Sequence, residues 1–171
     1  MLKRITPFRN VLANTLTNIH LRRRYSKSGR WRGNVKKKKG YVLDSFAILS
    51  FFQKESGATK VKEILEEALN GNIVTRLSAI NLGEIFYISA RKLGETKAEE
   101  MLDDIRRLPI KIEGSTEKRI LEAARVKALY PISYADAFSV SLAMEYDIPL
   151  VTGDPEFKKI AHLVEIVWLP K

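Results

Sequence analysis

The chain has 171 residues with a formal net charge of +10, and 45% of its residues are hydrophobic. This length suits one domain with a buried core, and no apolar run reaches the roughly 18 residues of a membrane span. The chain contains no cysteine, which excludes thiol catalysis, disulfides and cysteine-bound zinc and fits a cytoplasmic protein. The two histidines, His20 and His162, lie far apart and lack the neighbours of a zinc motif.

The positive charge is concentrated in the first 40 residues. Residues 1–40 hold 13 Lys/Arg and no Asp/Glu, whereas residues 41–171 hold 17 Lys/Arg and 20 Asp/Glu, a net charge of −3. Blocks of like charge separated by Ser and Gly predict a disordered extension before a folded domain at 41–171. Three interpretations of the extension stay open: a nucleic-acid-binding arm, a targeting peptide, or a stretch outside the natural product, which would then start at Val35.

Short apolar strands alternate with helices through the domain. Strands are predicted at 41–43, 73–77, 110–112, 149–152 and 164–169. Capping residues predict where the intervening helices begin, and apolar spacing predicts their buried faces. Leu69 is predicted on the buried face of the helix that precedes the second strand, and Ile120 and Leu121 on the buried face of the helix that Thr116 caps. The alternation predicts an α/β fold with a parallel, doubly wound sheet and right-handed crossovers.

Four acids stand at the ends or starts of these elements. Asp44 and Asp154 follow the first and fourth strands, and Glu84 and Asp136 are expected in the first turn of helices. Residues that follow parallel strands meet at the carboxyl edge of the sheet, where open α/β sheets bind ligands. Each acid alone is explained as a helix cap or a first-turn acid, because Ser133-x-x-Asp136 matches a capping box and Asn81-x-x-Glu84 does so more loosely.

Taken together, four carboxylates at one edge would repel each other unless a cation held them. Oxygen ligands without Cys or His favour a hard ion, Mg²⁺ or Mn²⁺. Such ions activate water and stabilise the leaving oxygen in the hydrolysis of a phosphodiester. Rival phosphate chemistries lack their motifs, since no second Asp stands two residues after Asp44 and no GxxxxGK(S/T) or GxGxxG segment occurs.

Four segments resemble, in their order and spacing, the motifs of the PIN-domain family: Tyr41-Val-Leu-Asp-Ser45, Asn81-Leu-Gly-Glu-Ile85, Ser133-Tyr-Ala-Asp-Ala-Phe138 and Thr152-Gly-Asp-Pro-Glu-Phe157. The resemblance implies a three-layer α/β/α sandwich with a central parallel sheet and a Mg²⁺- or Mn²⁺-dependent endoribonuclease site. It implies that the acids are catalytic and bind the metal, with two supporting hydroxyl groups: Asp44, Glu84, Asp136 and Asp154, supported by Ser45 and Thr152. Compact PIN proteins look most like VapC-type toxins, which implies a homodimer and a small antitoxin partner.

We therefore predict an endoribonuclease that hydrolyses RNA as the toxin of a toxin–antitoxin pair. Cations of the domain are candidates for RNA contact: Arg76, Arg91, Lys92, Arg106 and Arg107. Two alternatives stay open. One is a non-catalytic RNA-binding module that uses the basic N-terminal arm, and the other is an RNA-processing nuclease that is not a toxin.

Overall fold

The structure is a computed structural model that describes residues 39–170. Within this range five strands form one sheet: β1 (Gly40–Leu43), β2 (Val74–Ser78), β3 (Ile110–Glu113), β4 (Leu150–Thr152) and β5 (Ile166–Trp168). They lie in the order β3-β2-β1-β4-β5, and each neighbouring pair is parallel. The predicted parallel sheet is confirmed. The three interpretations of the basic extension concern residues outside the described range.

Six α-helices and one short 3₁₀ helix accompany the strands in the described part of the chain: α1 (Ser45–Phe52), α2 (Ala58–Leu69), α3 (Ala79–Leu93), α4 (Glu95–Arg107), α5 (Glu117–Leu129), α6 (Tyr134–Tyr146) and the 3₁₀ helix (Pro155–Ile160). None of these helices is long and apolar enough to cross a membrane. Asp44, Ser78, Thr116 and Ser133 cap α1, α3, α5 and α6 through their side chains. Such caps satisfy amides that have no partner within the helix.

Helices cover both faces of the sheet. Consecutive residues of a strand point to opposite faces, and the core divides accordingly. Val42 and Leu150 belong to one buried cluster, with residues of α5, α6 and the 3₁₀ helix, whereas Leu43 and Val151 belong to a second cluster, with residues of α1 to α4. The three-layer α/β/α arrangement is therefore confirmed.

The predicted buried faces of two helices were partly wrong. Leu69 is 75% exposed at the end of α2, and Ile120 and Leu121 are 40% and 47% exposed on α5. The buried positions of α5 are instead Ala123 and Val126. The helix packs against α6 through these smaller residues, so tertiary contact decides the buried face rather than the size of the apolar residues.

Buried charges join the sheet to the helices on one face. Glu113, at the end of β3, is only 6% exposed and forms ion pairs with Arg76 of β2 and Arg119 of α5. The Arg76 guanidinium lies over the Tyr146 ring, with 3.5 Å from Cζ to the ring centroid, and Arg119 also pairs with Glu145 at 2.8 Å. This network connects β2, β3, α5 and α6.

Candidate functional site

The carboxyl edge of the sheet brings the four predicted acids into one electrostatic cluster. Asp44 directly follows β1 and Asp154 directly follows β4, and these strands are neighbours in the sheet. Glu84 lies on α3, and Asp136 lies in the first turn of α6. The charges of Asp136 and Asp154 raise the pKa of both Asp44 and Glu84, so the four groups form one cluster.

Asp44 is the most buried of the four, with 2% of its surface exposed. Its Oδ1 accepts a hydrogen bond of 2.7 Å from the Ala47 amide, as the N-cap of α1. Burial raises the pKa of Asp44 from 3.8 to about 7, and the charges of Asp136 and Asp154 act in the same direction. Hydrogen bonds from the Thr152 hydroxyl and the Ala47 amide oppose the shift only in part. Without a cation nearby, this carboxylate is costly to ionise.

The Thr152 hydroxyl links the two acids that follow strands. Its Oγ1 accepts a hydrogen bond of 3.0 Å from the Asp154 amide, which leaves its proton for the hydrogen bond to Asp44. The residue is fully buried at the end of β4. Thr152 therefore fixes the start of the 3₁₀ helix relative to Asp44.

Glu84 is half-buried and held by α1. Its Oε2 accepts a hydrogen bond of 2.5 Å from the Ser45 hydroxyl. Burial raises the pKa of Glu84, the charges of Asp136 and Asp154 add to the rise, and hydrogen bonds from Ser45 and Asn81 oppose it. The predicted first-turn position was wrong, because Ser78 rather than Asn81 caps α3 and places Glu84 in the second turn.

Asp136 and Asp154 each take part in the N-terminal cap of a helix. Asp136 and Ser133 form the predicted capping box, with Asp136 Oδ2 accepting from the Ser133 amide at 3.1 Å and Ser133 Oγ accepting from the Asp136 amide at 3.0 Å. Asp154 Oδ1 accepts from the Glu156 amide at 2.8 Å. Burial raises the pKa of Asp136, and the charges of Asp154 and Glu156 add to that effect. The caps position both side chains in the cluster.

The donor set suits a hard divalent cation, because it consists of clustered carboxylates whose raised pKa values reflect burial and mutual repulsion. Within residues 39–170, however, no three His, Asp or Glu side chains are already arranged as ligands. The four acids instead accept hydrogen bonds from amides and hydroxyls of the protein. Each of these hydrogen bonds occupies only part of a carboxylate, so the amides and hydroxyls can hold the side chains while other oxygen lone pairs stay available to a metal.

The sequence pattern indicated only a loose helix cap at Asn81, yet this residue connects three helices at the site. The side chain is fully buried. Its Nδ2 donates to Ser45 Oγ at 3.2 Å and to the Ala135 carbonyl at 3.3 Å, and its Oδ1 accepts from Ser139 Oγ at 2.9 Å. Its position three residues before Glu84 was visible but was interpreted as a cap. Glu156, whose charge acts on Asp136, was also missed.

The candidate RNA-contacting cations differ in their exposure and in whether an acid pairs with them. Arg76 is only 15% exposed and pairs with Glu113, so its charge is less free for the predicted contact with RNA than that of an exposed cation. Arg106 and Arg107 are exposed and pair with acids one turn earlier on α4. Arg91 and Lys92, in the last turn of α3, are exposed and have no acidic partner within the described residues.

The fold and the site together define an α/β domain with a parallel sheet and an acidic cluster at the strand ends. The model of the PIN domain family matches residues 41–163, and the chain belongs to that family. No curated protein matches the chain.

Solved structures with a similar fold include members of toxin–antitoxin systems. VapBC2 from Rickettsia felis, bound to a DNA fragment from its promoter, is 18% identical with a TM-score of 0.61, covering 77% of this chain and 99% of its own. VapC20 from Mycobacterium tuberculosis, described as a sarcin-ricin loop cleaving toxin, is 18% identical with a TM-score of 0.55, covering 70% and 93%. A toxin–antitoxin complex from Klebsiella pneumoniae is 16% identical with a TM-score of 0.53, covering 74% and 95%.

Proposed function

We propose that this chain is a metal-dependent endoribonuclease that hydrolyses RNA phosphodiester bonds with Mg²⁺ or Mn²⁺. The observation that carries the proposal is the cluster of four acids at the carboxyl edge, three of which have a raised pKa. Keeping such a cluster without a ligand costs stability, and native folds keep strained or uncompensated groups mainly at functional sites. Membership in the PIN family supports the same assignment.

In this mechanism the metal would be held by Asp44, Glu84, Asp136 and Asp154. A bound divalent cation lowers the pKa of water and stabilises negative charge on the leaving oxygen of the phosphodiester. The protein supplies positioning: Thr152 and the Ala47 amide orient Asp44, and the Ser45 hydroxyl orients Glu84. No described side chain is required as a covalent nucleophile.

We further propose that the protein acts as the toxin of a toxin–antitoxin pair, as a homodimer inhibited by a small antitoxin. The support is the fold shared with VapC20, described as a toxin, and with the Klebsiella pneumoniae toxin–antitoxin complex. An RNA-processing nuclease that is not a toxin would have the same site. Growth arrest on expression, relieved by co-expression of the product of a small neighbouring gene, separates the two.

Cleavage of RNA is the direct test. We expect cleavage with Mg²⁺ or Mn²⁺ and none with EDTA. Asp44→Asn and Asp154→Asn each remove a proposed ligand, and we expect each to lower the rate by at least about 100-fold, since even losing an outer partner of a ligand costs about 10- to 100-fold. Product formation on a gel measures the rate.

Glu63→Gln is the matched control, because Glu63 is an exposed acid on α2 that pairs only with Lys60 in the described structure. This variant should cleave as the wild type does. Undiminished cleavage by Asp44→Asn or Asp154→Asn would contradict the assignment of the site.

A further inference from the structure

A cleft lies directly beside the acidic cluster. It has a volume of about 600 Å³ and is lined by six residues: Phe46, Glu55, Ser56, Asp154, Pro155 and Pro170. This volume is within the range of small-molecule sites, roughly 300–1,000 Å³. Because Asp154 also belongs to the acidic cluster, anything bound in the cleft lies next to the groups proposed to act on phosphate.

The fold fixes Phe46 at the inner wall of the cleft. Phe46 is the second residue of α1 and directly follows Asp44 and Ser45 in the chain, and it is only partly buried. The ring packs against Gly153, since a Cβ at that position would come within 2.4 Å of the ring. Gly153 therefore allows the Phe46 ring, on the helix that Asp44 caps, to contact the loop that carries Asp154.

The far wall is closed by a contact between distant segments. The Ser56 hydroxyl donates to the Pro170 carbonyl at 3.0 Å, which joins the segment after α1 to the segment after β5. Pro155 and Pro170 add apolar surface, and both rings have limited freedom. The cleft is therefore lined by one aromatic ring and two proline rings.

The charges of the cleft argue against a phosphate and for a neutral, flat group. Its two ionisable lining residues, Glu55 and Asp154, are both acids, so an anion would be repelled. Single-stranded RNA offers neutral bases that stack on aromatic side chains, whereas its phosphates need cations. Glu55 has no hydrogen-bond partner for its carboxylate within the described residues and accepts hydrogen bonds only.

We propose that this cleft is a base-binding subsite that stacks one unpaired nucleobase of the RNA on Phe46, next to the scissile phosphate, and favours bases with an exocyclic amino group through Glu55. The inference rests on the proposed ribonuclease function. The subsite selects where the RNA is cut, because the base held on Phe46 fixes which phosphate lies over the four acids.

The test measures RNA binding in EDTA, where no metal-dependent cleavage occurs. Labelled cytidine and uridine homo-oligomers are titrated with wild-type protein and followed by fluorescence anisotropy. Phe46→Leu keeps the apolar contact with Gly153 but loses the aromatic face, and we expect its Kd to rise about 5- to 100-fold, as for loss of one stacked base. Phe46→Tyr retains stacking and should bind within about twofold of the wild type.

Glu55→Gln tests the polar part of the subsite on an exposed residue, so it remains informative if Phe46→Leu lowers stability. We expect the wild type to bind cytidine oligomers more tightly than uridine oligomers, and Glu55→Gln to remove that difference. Equal binding by Phe46→Leu and the wild type would overturn the stacking, and an unchanged base preference in Glu55→Gln would overturn the recognition by Glu55.

Failure of the subsite and failure of the proposed function give different results. If the wild type cleaves RNA with Mg²⁺ but Phe46→Leu has unchanged kcat and KM, the nuclease stands and the subsite is overturned. If Phe46→Leu weakens binding in EDTA but no protein cleaves with metal, the subsite stands and the nuclease is overturned.

Discussion

At the scale of single residues, Asp44 is the acid for which burial in the fold most opposes the ionised form that the proposed metal site needs. It is nearly fully buried, and burial raises its pKa to about 7 against an ordinary value of 3.8. The unfolded chain ionises the carboxyl group freely near pH 4, whereas the folded chain resists ionisation until about pH 7. Between these values the folded state binds more protons than the unfolded state. The stability that this group contributes is therefore fully present below pH 4 and is lost as the pH rises through 7.

We therefore expect the metal-free wild type to lose stability between about pH 4 and pH 7, by on the order of 1.4 kcal/mol for each unit by which the pKa is raised. Asp44→Asn keeps a good N-cap for α1 but removes the buried charge. In EDTA at pH 8 it should melt at a higher temperature than the wild type, although we expect it to cleave RNA far more slowly than the wild type when Mg²⁺ is supplied. Thermal melts from pH 4 to pH 8 measure this.

Glu63→Gln is the control here as well, and its pH dependence should follow that of the wild type. Addition of Mg²⁺ should raise the melting temperature of the wild type more than that of Asp44→Asn, because a ligand stabilises only the state that binds it. A lower melting temperature for Asp44→Asn in EDTA at pH 8 would show that the charge of Asp44 is compensated without metal.

At the scale of secondary structure elements, helix termini position the site. Three of the four acids cap a helix: Asp44 caps α1, Asp136 completes the capping box of α6, and Asp154 caps the 3₁₀ helix. A cap has a fixed side-chain rotamer and direction, because it must reach the first amides of its helix. The same hydrogen bonds that start these helices therefore aim their carboxylates toward the edge of the sheet.

Ser133→Ala separates the two roles of such a cap. We expect it to lower the free energy of unfolding by about 1 kcal/mol, because the Asp136 amide loses its cap, and also to reduce cleavage, because the Asp136 carboxylate loses the hydrogen bond from the Ser133 hydroxyl. Thr116→Ala is the matched control, because Thr116 caps α5 in the same way through the Arg119 amide at 3.3 Å and contacts none of the four acids.

Chemical denaturation measures the stability of both variants, and their cleavage rates are compared at equal folded fraction. Thr116→Ala should lose similar stability and keep its rate. Equal rates for Ser133→Ala and Thr116→Ala would show that the capping box serves only the helix and not the site.

The same local signals explain how much could be predicted from sequence. Strand ends and caps are short-range patterns, so Asp44, Asp136 and Asp154 were placed correctly, and the parallel sheet followed from the alternation of elements. The partner of Arg76 was not predictable, because Glu113 reaches it only through the register of β2 against β3. Asn81 was misassigned for the same reason, since its partners Ser45 and Ser139 come from other helices.

At the scale of the whole molecule, charge is divided between two parts of the chain. Residues 1–40 carry 13 cations without an acid, whereas residues 41–171 carry a net charge of −3 and the acidic site. An acidic domain does not attract RNA over long distances, so we propose that the extension supplies electrostatic affinity and the domain supplies the chemistry.

Deletion of residues 1–38 tests this division. We expect the remaining domain to cleave RNA with a similar kcat and a higher KM, and its KM to depend less steeply on salt, because fewer counterions are released on binding. Steady-state kinetics from 50 to 200 mM salt measure this. Loss of all RNA binding and cleavage would favour the alternative of an arm-dependent RNA-binding module.

The place of β1 in the sheet has a consequence for how the site comes into being. β1 lies between β2 and β4, and its pairing with β4 joins residues from nearly opposite ends of the domain. Contacts so distant in sequence close late in folding, because the loop entropy must be overcome first. A chain in which only β1 and β2 had paired would hold Asp44 and Glu84 but not Asp154. On the proposed function, a partly folded or partly synthesised chain therefore lacks one of the four proposed metal ligands until β1 and β4 have paired.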